Sequence, residues 1–179
     1  MLTRQHTEEM LPKFGGTIFM KGNDICIPGK QQLVSSEITI PGDFSSAAFW
    51  IVAALLVPNS SIRIKNIGLS PARIGLLEAI QHMGATYEID WIDQKQYIGT
   101  LSINHQSLHG TKISGHLIPR LIDELPLIAL LATQAEGVTE VRDAKELRVK
   151  DTDRIHMVTK MLIRLGADII EYEDGFQVI

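Results

Sequence analysis

Only one cysteine, Cys26, stands in the 179-residue chain. Neither an intramolecular disulfide nor a cysteine-based zinc site can therefore form within it. Basic excess is also lacking. A net charge of -4 argues against a general binder of nucleic acid or membrane surfaces, both of which need a basic face. Anionic small molecules remain open, because a few local cations suffice to hold them. The longest apolar run, Ala47 to Val57, is too short to span a bilayer. The opening "MLTRQHTEEM" lacks the charged-then-apolar plan of a signal peptide, so the cytoplasm is the expected location. "GDFSSAAF" has the Gly and paired Ser of a phosphate loop but not its lysine or glycine spacing, and reads as a capped helix start. What is present, 45% hydrophobic and 21% charged residues, is the composition of an ordinary globular protein of one or two domains.

A repeated plan runs through the chain. An amphipathic helix leads to a bulky apolar residue, then Gly, a small residue and strand-like pairs. It occurs at Phe14-Gly15, at Met83-Gly84 and at Leu165-Gly166. Glycine fits the left-handed position that ends helices, which accounts for its recurrence. In the third copy Ile155, Val158, Leu162 and Leu165 form the expected buried stripe. The "EDG" of Glu173 to Gly175 reads as a hairpin turn. The second and third copies share an upstream part as well. "SSAAFWIVAALLV" and "LPLIALLATQA" are apolar helices, followed by the strands "SIRIKNI" and "VTEVRDA". The full unit is an α/β unit whose helices cover a sheet. The first copy holds only its second half, and the chain stops after the third copy's hairpin, so a piece of a longer protein is expected. A domain junction is expected in "SSEITIPGDFSS", where Pro41-Gly42 breaks the strand-like "EITI" and Asp43 or Ser45 caps the next helix.

Chemistry has four candidate locations. In "VKDTDRI", Asp151 or Thr152 can cap a helix whose first N–H groups face outward. Lys150 before it and Arg154 in its first turn would favour a phosphate or carboxylate, bidentate on Arg154. The same residues also fit a solvated cap with an Asp151–Arg154 pair. In "LIPRLIDELPLIAL", Asp123 and Glu124 precede an apolar helix that Pro126 can begin. They fit either a carboxylate at the rim of a buried element, available for proton transfer, or plain capping. "TRQHTEEM" offers Arg4 for an anion, His6 as a base or structural group, and a Thr-x-x-Met helix start. "GDFSSAAF", read above as a cap, is the fourth.

"PGDFSSAAFWIVAAL", "ISGHLIPRLIDELPLIALLATQAEG" and "LRVKDTDRI" follow one another in the order and spacing of the 5-enolpyruvylshikimate-3-phosphate synthase family. The opening "TRQHTEEML" also resembles that family's Ser-Arg-Asp-His-Thr-Glu motif, and the resemblance covers essentially the whole chain. It implies an α/β fold of repeated βαβαββ units, the inside-out α/β barrel of enolpyruvyl transferases, incomplete here at both ends. Residues 1–41 would end the first domain, and 42–179 would supply two units of the second.

The implied reaction moves the enolpyruvyl group of phosphoenolpyruvate to the 5-hydroxyl of shikimate 3-phosphate and releases phosphate. The family requires no metal or organic cofactor. Its partners are these small anionic substrates, with neither nucleic acid nor membrane. Residue by residue, the resemblance makes Asp123 the proton acceptor beside the 5-hydroxyl and Lys150 a contact of shikimate 3-phosphate. Arg154 becomes a ligand of phosphoenolpyruvate, and Arg4 a residue near the phosphate of shikimate 3-phosphate. Asp151 stands where the family usually has Glu, near phosphoenolpyruvate and assigned to proton transfer. An aspartate is shorter by about 1 Å, a misplacement that can cost about a hundredfold in rate, so either the backbone compensates or this member is slow. Two other readings share the sequence: enolpyruvyl transfer to a UDP-amino sugar on the same fold, or a non-catalytic truncated module. The intact enzyme is expected to be monomeric, and the isolated piece to be inactive and to self-associate through uncovered apolar faces.

Overall fold

Three glycines set the frame. Gly15, Gly84 and Gly166 have φ of 76°, 92° and 96°, the left-handed region that glycine enters without steric cost. Each ends a helix in the same way. The glycine N–H donates to the carbonyl three residues back, and the next residue's N–H to the carbonyl five back: Gly15 to Pro12 and Gly16 to Leu11, Gly84 to Gln81 and Ala85 to Ile80, Gly166 to Ile163 and Ala167 to Leu162. These paired bonds satisfy the orphan carbonyls of a helix end. The repeated glycine and small residue of the sequence are three copies of one helix stop.

The computed structural model describes residues 5–22 and 24–179, in two compact units, Met1–Ile40 and Pro41–Ile179. In the first, helix α1 (His6–Met10) continues through a 3-10 turn, Leu11–Phe14, to Gly15. Strands β1 (Phe19–Lys21) and β2 (Asp24–Cys26) then pair antiparallel. Helix α1 starts at His6 behind Gln5, with no side-chain cap, so Thr7 does not begin it as the sequence suggested. The segment 37–40 carries strand-forming residues yet joins no ladder among the described residues. Strand propensity expresses packing against a neighbouring strand, not a backbone preference alone.

The second unit contains one plan twice. Helix α2 (Phe44–Leu56) leads to strand β3 (Ser61–Gly68), helix α3 (Gly75–His82), and strands β4 (Glu88–Asp93) and β5 (Ile98–Asn104). Strand β6 (Lys112–Ile113) then leads through helices α4 (Ile118–Leu121) and α5 (Leu125–Ala132) to β7 (Thr139–Val141). Helix α6 (Arg154–Arg164) and strands β8 (Ile169–Tyr172) and β9 (Gly175–Val178) complete the second copy. Their sheets run β3-β5-β4 and β6-β7-β9-β8. In the second copy β6 is parallel to β7. In the first, the corresponding strand shrinks to a parallel bridge between Gly42 and Ile67. The remaining pairs, β3 with β5, β4 with β5, β7 with β9 and β8 with β9, are all antiparallel. Each copy is thus βαβαββ, and Glu173-Asp174 form the two-residue turn between β8 and β9.

The helices pack where their apolar stripes require. Along α2, Phe44, Ala47, Ala48, Ile51, Val52 and Leu55 are buried, the three-and-four spacing of one helical face. Helix α2 packs on α5, and α5 on α6. In α6 the buried residues are Ile155, Thr159 and Leu162, and Val158 packs against the core while partly exposed. Leu165 departs from the expected stripe and is 80% exposed. It follows the last helical turn as the C-cap, and ten residues on from Ile155 it has rotated well off the buried face.

Candidate functional site at the helix starts

Asp123, Asp151 and Arg154 meet near the starts of α2, α3, α5 and α6. Asp43 caps α2, its carboxylate accepting from the Ser46 N–H at 2.7 Å and from the Ser46 hydroxyl at 2.7 Å. The hydroxyl hydrogen bond, with the backbone N–H groups, holds the Asp43 carboxyl below its usual range. That cap leaves the neighbouring Ser45 hydroxyl to another task. It donates to Glu124 Oε1 at 2.6 Å and accepts from Arg73 Nη2 at 2.8 Å. Glu124 itself is 2% exposed. Burial pushes its carboxyl above the ordinary value, and the nearby Asp123 charge adds to this against the Ser45 hydrogen bond and Arg73.

Asp123 lies next to Glu124 at the turn between α4 and α5, with Pro126 in the first turn of α5 as the sequence indicated. The two oxygens of Asp123 face two guanidinium groups. Arg73 Nη1 is 3.5 Å from Oδ2, and Arg154 Nη1 is 3.3 Å from Oδ1. Arg154 also reaches Asp151 Oδ1, at 3.1 Å from Nη2 and 3.3 Å from Nε. The hydrogen bond from Arg154, with its charge, holds the Asp151 carboxyl below its usual range. All of these contacts are longer than the about 2.7–2.9 Å of a tight charge-assisted bond. Arg154 is spread between two carboxylates and bound closely by neither.

The helix cap itself is not the one expected. Asp153, not Asp151 or Thr152, caps α6, accepting from the His156 N–H at 3.0 Å. That bond, with the hydrogen bond from Arg148, holds the Asp153 carboxyl low. Sequence spacing alone did not separate three adjacent cap-forming residues, and only Asp153 directly precedes Arg154 as the last non-helical residue. Asp151 and Thr152 form a bend before the helix, so Asp151 reaches Arg154 from outside it. Arg148 fastens this segment. It donates to Asp153 at 2.8 Å and Glu171 at 2.9 Å, to the Glu173 carbonyl at 2.7 Å, and to the Tyr172 carbonyl.

Of the sequence candidates, the fold brings Asp123, Asp151 and Arg154 together. Lys150 lies at the end of the preceding 3-10 turn, and its ammonium pairs with Glu146 at 2.7 Å. His6 is exposed at the start of α1. Arg4 lies outside the described residues. Arg73 went unnoticed in the sequence, as did the place of Ser45 and Glu124 in the network. The available signal was an Arg-Ile pair at the entry of both amphipathic helices, Arg73-Ile74 and Arg154-Ile155. Among the described residues, no group of three His, Cys, Asp or Glu side chains is placed to hold a metal ion. No helix among them is long and apolar enough to cross a membrane.

Comparison with known proteins places this geometry. The family model for EPSP synthase (3-phosphoshikimate 1-carboxyvinyltransferase) matches residues 1–179. A 3-phosphoshikimate 1-carboxyvinyltransferase of Streptococcus uberis is 54% identical over 177 residues, 99% of this chain and 42% of its own length. That of Streptococcus equi subsp. equi is 53% identical over 174 residues, 97% of this chain and 41% of its own. The chain therefore spans about two fifths of these curated relatives. The EPSP synthase structure from Acinetobacter baumannii superposes with a TM-score of 0.90 at 35% identity, over 99% of this chain and 41% of that one. The enolpyruvyl transferase NikO from Streptomyces tendae, with a TM-score of 0.73 at 19% identity over 99% of this chain and 40% of that one, shares the fold. The two βαβαββ copies are those of the enolpyruvyl transferase fold, and the chain belongs to the EPSP synthase (3-phosphoshikimate 1-carboxyvinyltransferase) family.

Proposed function

We propose that the whole protein to which this chain belongs transfers the enolpyruvyl group of phosphoenolpyruvate to the 5-hydroxyl of shikimate 3-phosphate and releases inorganic phosphate. In this reading residues 1–41 end one domain and residues 42–179 supply two units of the other. The observation that carries it is Asp123 held between Arg73 and Arg154 in a chain of this family. A carboxylate between a fixed guanidinium, Arg73, and a loosely held one, Arg154, suits a reaction that takes a proton from a hydroxyl beside a phosphorylated co-substrate.

A proton adds to the methylene carbon of phosphoenolpyruvate, and the adjacent carbon becomes electrophilic. The 5-hydroxyl oxygen bonds to that carbon while its proton passes to Asp123. The tetrahedral ketal then loses phosphate and a methyl proton, which restores the double bond. Arg154 carries the anionic charge of phosphoenolpyruvate by exchanging its long contacts to Asp123 and Asp151 for tighter ones to substrate. Asp151 serves proton transfer near the methylene carbon. Lys150 turns from the exposed Glu146 to shikimate 3-phosphate. The reaction belongs to the cytoplasm, with no metal or organic cofactor. The intact enzyme works as a monomer.

The isolated 179-residue chain should not turn over, since it covers 42% of the length of its relative. Phosphate release from phosphoenolpyruvate, dependent on added shikimate 3-phosphate, is expected from the full-length protein and absent from the 179-residue chain. Absence of turnover by the full-length protein would overturn the assignment. Turnover by the chain alone would overturn its incompleteness.

A further inference from the structure

We propose that Arg73 is a positioning residue that holds Asp123 in place when Arg154 turns to the anionic substrate. The proposal rests on the reading of Asp123 as proton acceptor given above. Arg73 approaches Asp123 from the first βαβαββ copy, and Arg154 from the second. Each lies at the entry of its copy's amphipathic helix, Arg73 two residues before Gly75 of α3 and Arg154 at the first position of α6. The entry regions of the amphipathic helices in the two copies thus deliver a guanidinium to each oxygen of one carboxylate.

The two arginines differ in what holds them. Arg154 divides its donors between Asp123 and the exposed Asp151, contacts that an incoming phosphate or carboxylate can replace. Arg73 is anchored from behind. Its Nη2 donates to Ser45 Oγ at 2.8 Å, and Ser45 Oγ in turn donates to the buried Glu124 at 2.6 Å. The Ser45 hydroxyl has one proton, so giving it to Glu124 turns its lone pairs toward Arg73. The planar guanidinium is then fixed with Nη1 toward Asp123. The backbone just before Arg73 is tied as well. The Arg120 side chain, on α4, donates through Nε to the Pro71 carbonyl at 2.7 Å. When substrate draws Arg154 away, Arg73 remains to aim the carboxylate.

The test uses the full-length protein with Arg73→Gln, Arg73→Lys and Ser45→Ala, measuring kcat and KM for both substrates. Arg73→Gln should lower kcat by about 10- to 100-fold, the scale of a roughly 1 Å misplacement. Its KM values should stay within about threefold of wild type. Arg73→Lys should recover part of the lost kcat, because it restores charge without the planar fork. Ser45→Ala should lower kcat less than Arg73→Gln does. Wild-type kcat in Arg73→Gln, or a loss confined to KM, overturns the proposal. If Arg73→Gln does not fold, wild-type kcat in both Arg73→Lys and Ser45→Ala overturns it equally. A wild-type protein without turnover instead overturns the reaction assigned above, and this role with it.

Discussion

Glu124 shows how one side chain can be costly to the fold and useful to the site. It is 2% exposed, and burial raises its carboxyl above the ordinary value. The native state therefore holds a proton that the unfolded chain releases, over the window from about pH 4.3 up to the raised native value. Stability falls as pH rises through that window, because there the native state binds more protons than the unfolded one. Glu124→Gln keeps a carbonyl to accept from Ser45 and removes the titration. Urea unfolding of this chain at pH 4.5 and pH 7.5 should show the variant gaining on wild type as pH rises. A constant difference between the two pH values would contradict the burial argument. The carboxylates of the α6 entry behave oppositely, since Asp151 and Asp153 are both held low by their hydrogen bonds and favour the fold at neutral pH.

At the scale of elements, the site depends on how closely α3 approaches α4. A Cβ on Gly75 would lie 2.8 Å from the Arg120 carbonyl carbon, 2.9 Å from its oxygen and 2.9 Å from Leu121 Cβ. Two of these neighbours are backbone atoms, which cannot rotate aside. Glycine at the start of α3 therefore sets the separation of the two copies at the level of Arg73 and Asp123. Gly75→Ala should cost about 1–3 kcal/mol, the range for overpacking a tight contact, measured by urea unfolding of this chain. An unchanged midpoint would show that α3 can shift without strain. The helix identities at this scale were legible beforehand. Continuous apolar runs marked α2 and α5, apolar periodicity marked α6, and the glycine with its small follower marked the ends of α3 and α6. The α6 cap was not legible, because Asp151, Thr152 and Asp153 are all competent and the arrangement of the preceding turn selects among them.

Across the whole molecule, the two compact units are unequal. Every buried core hydrophobic among the described residues, from Phe44 to Val178, belongs to Pro41–Ile179. In Met1–Ile40 both strands are exposed along their length. Stability scales with the apolar surface removed from water, so the second unit should fold on its own. A fragment of residues 41–179 should unfold cooperatively, with a Tm within about 4 °C of the whole chain, a shift worth about 1 kcal/mol or less in a domain of this size. Thermal unfolding followed by circular dichroism measures this. A non-cooperative or much lower transition would mean that residues 1–40 contribute to the core.

The recurring order of apolar helix, strand, amphipathic helix and hairpin was legible in the residues, because apolar runs, helix periodicity and helix-ending glycines are local signals. The sequence by itself also marked Asp123, Asp151 and Arg154 as candidates, through motifs whose residues lie close together in the chain. Tertiary structure alone decided that Arg73, fifty residues before Asp123, faces the same carboxylate. It also decided that Ser45 and Glu124, seventy-nine residues apart, share the hydrogen bond behind it. The physical reason is that local sequence fixes what each helix start offers, whereas packing of one copy against the other fixes which starts meet.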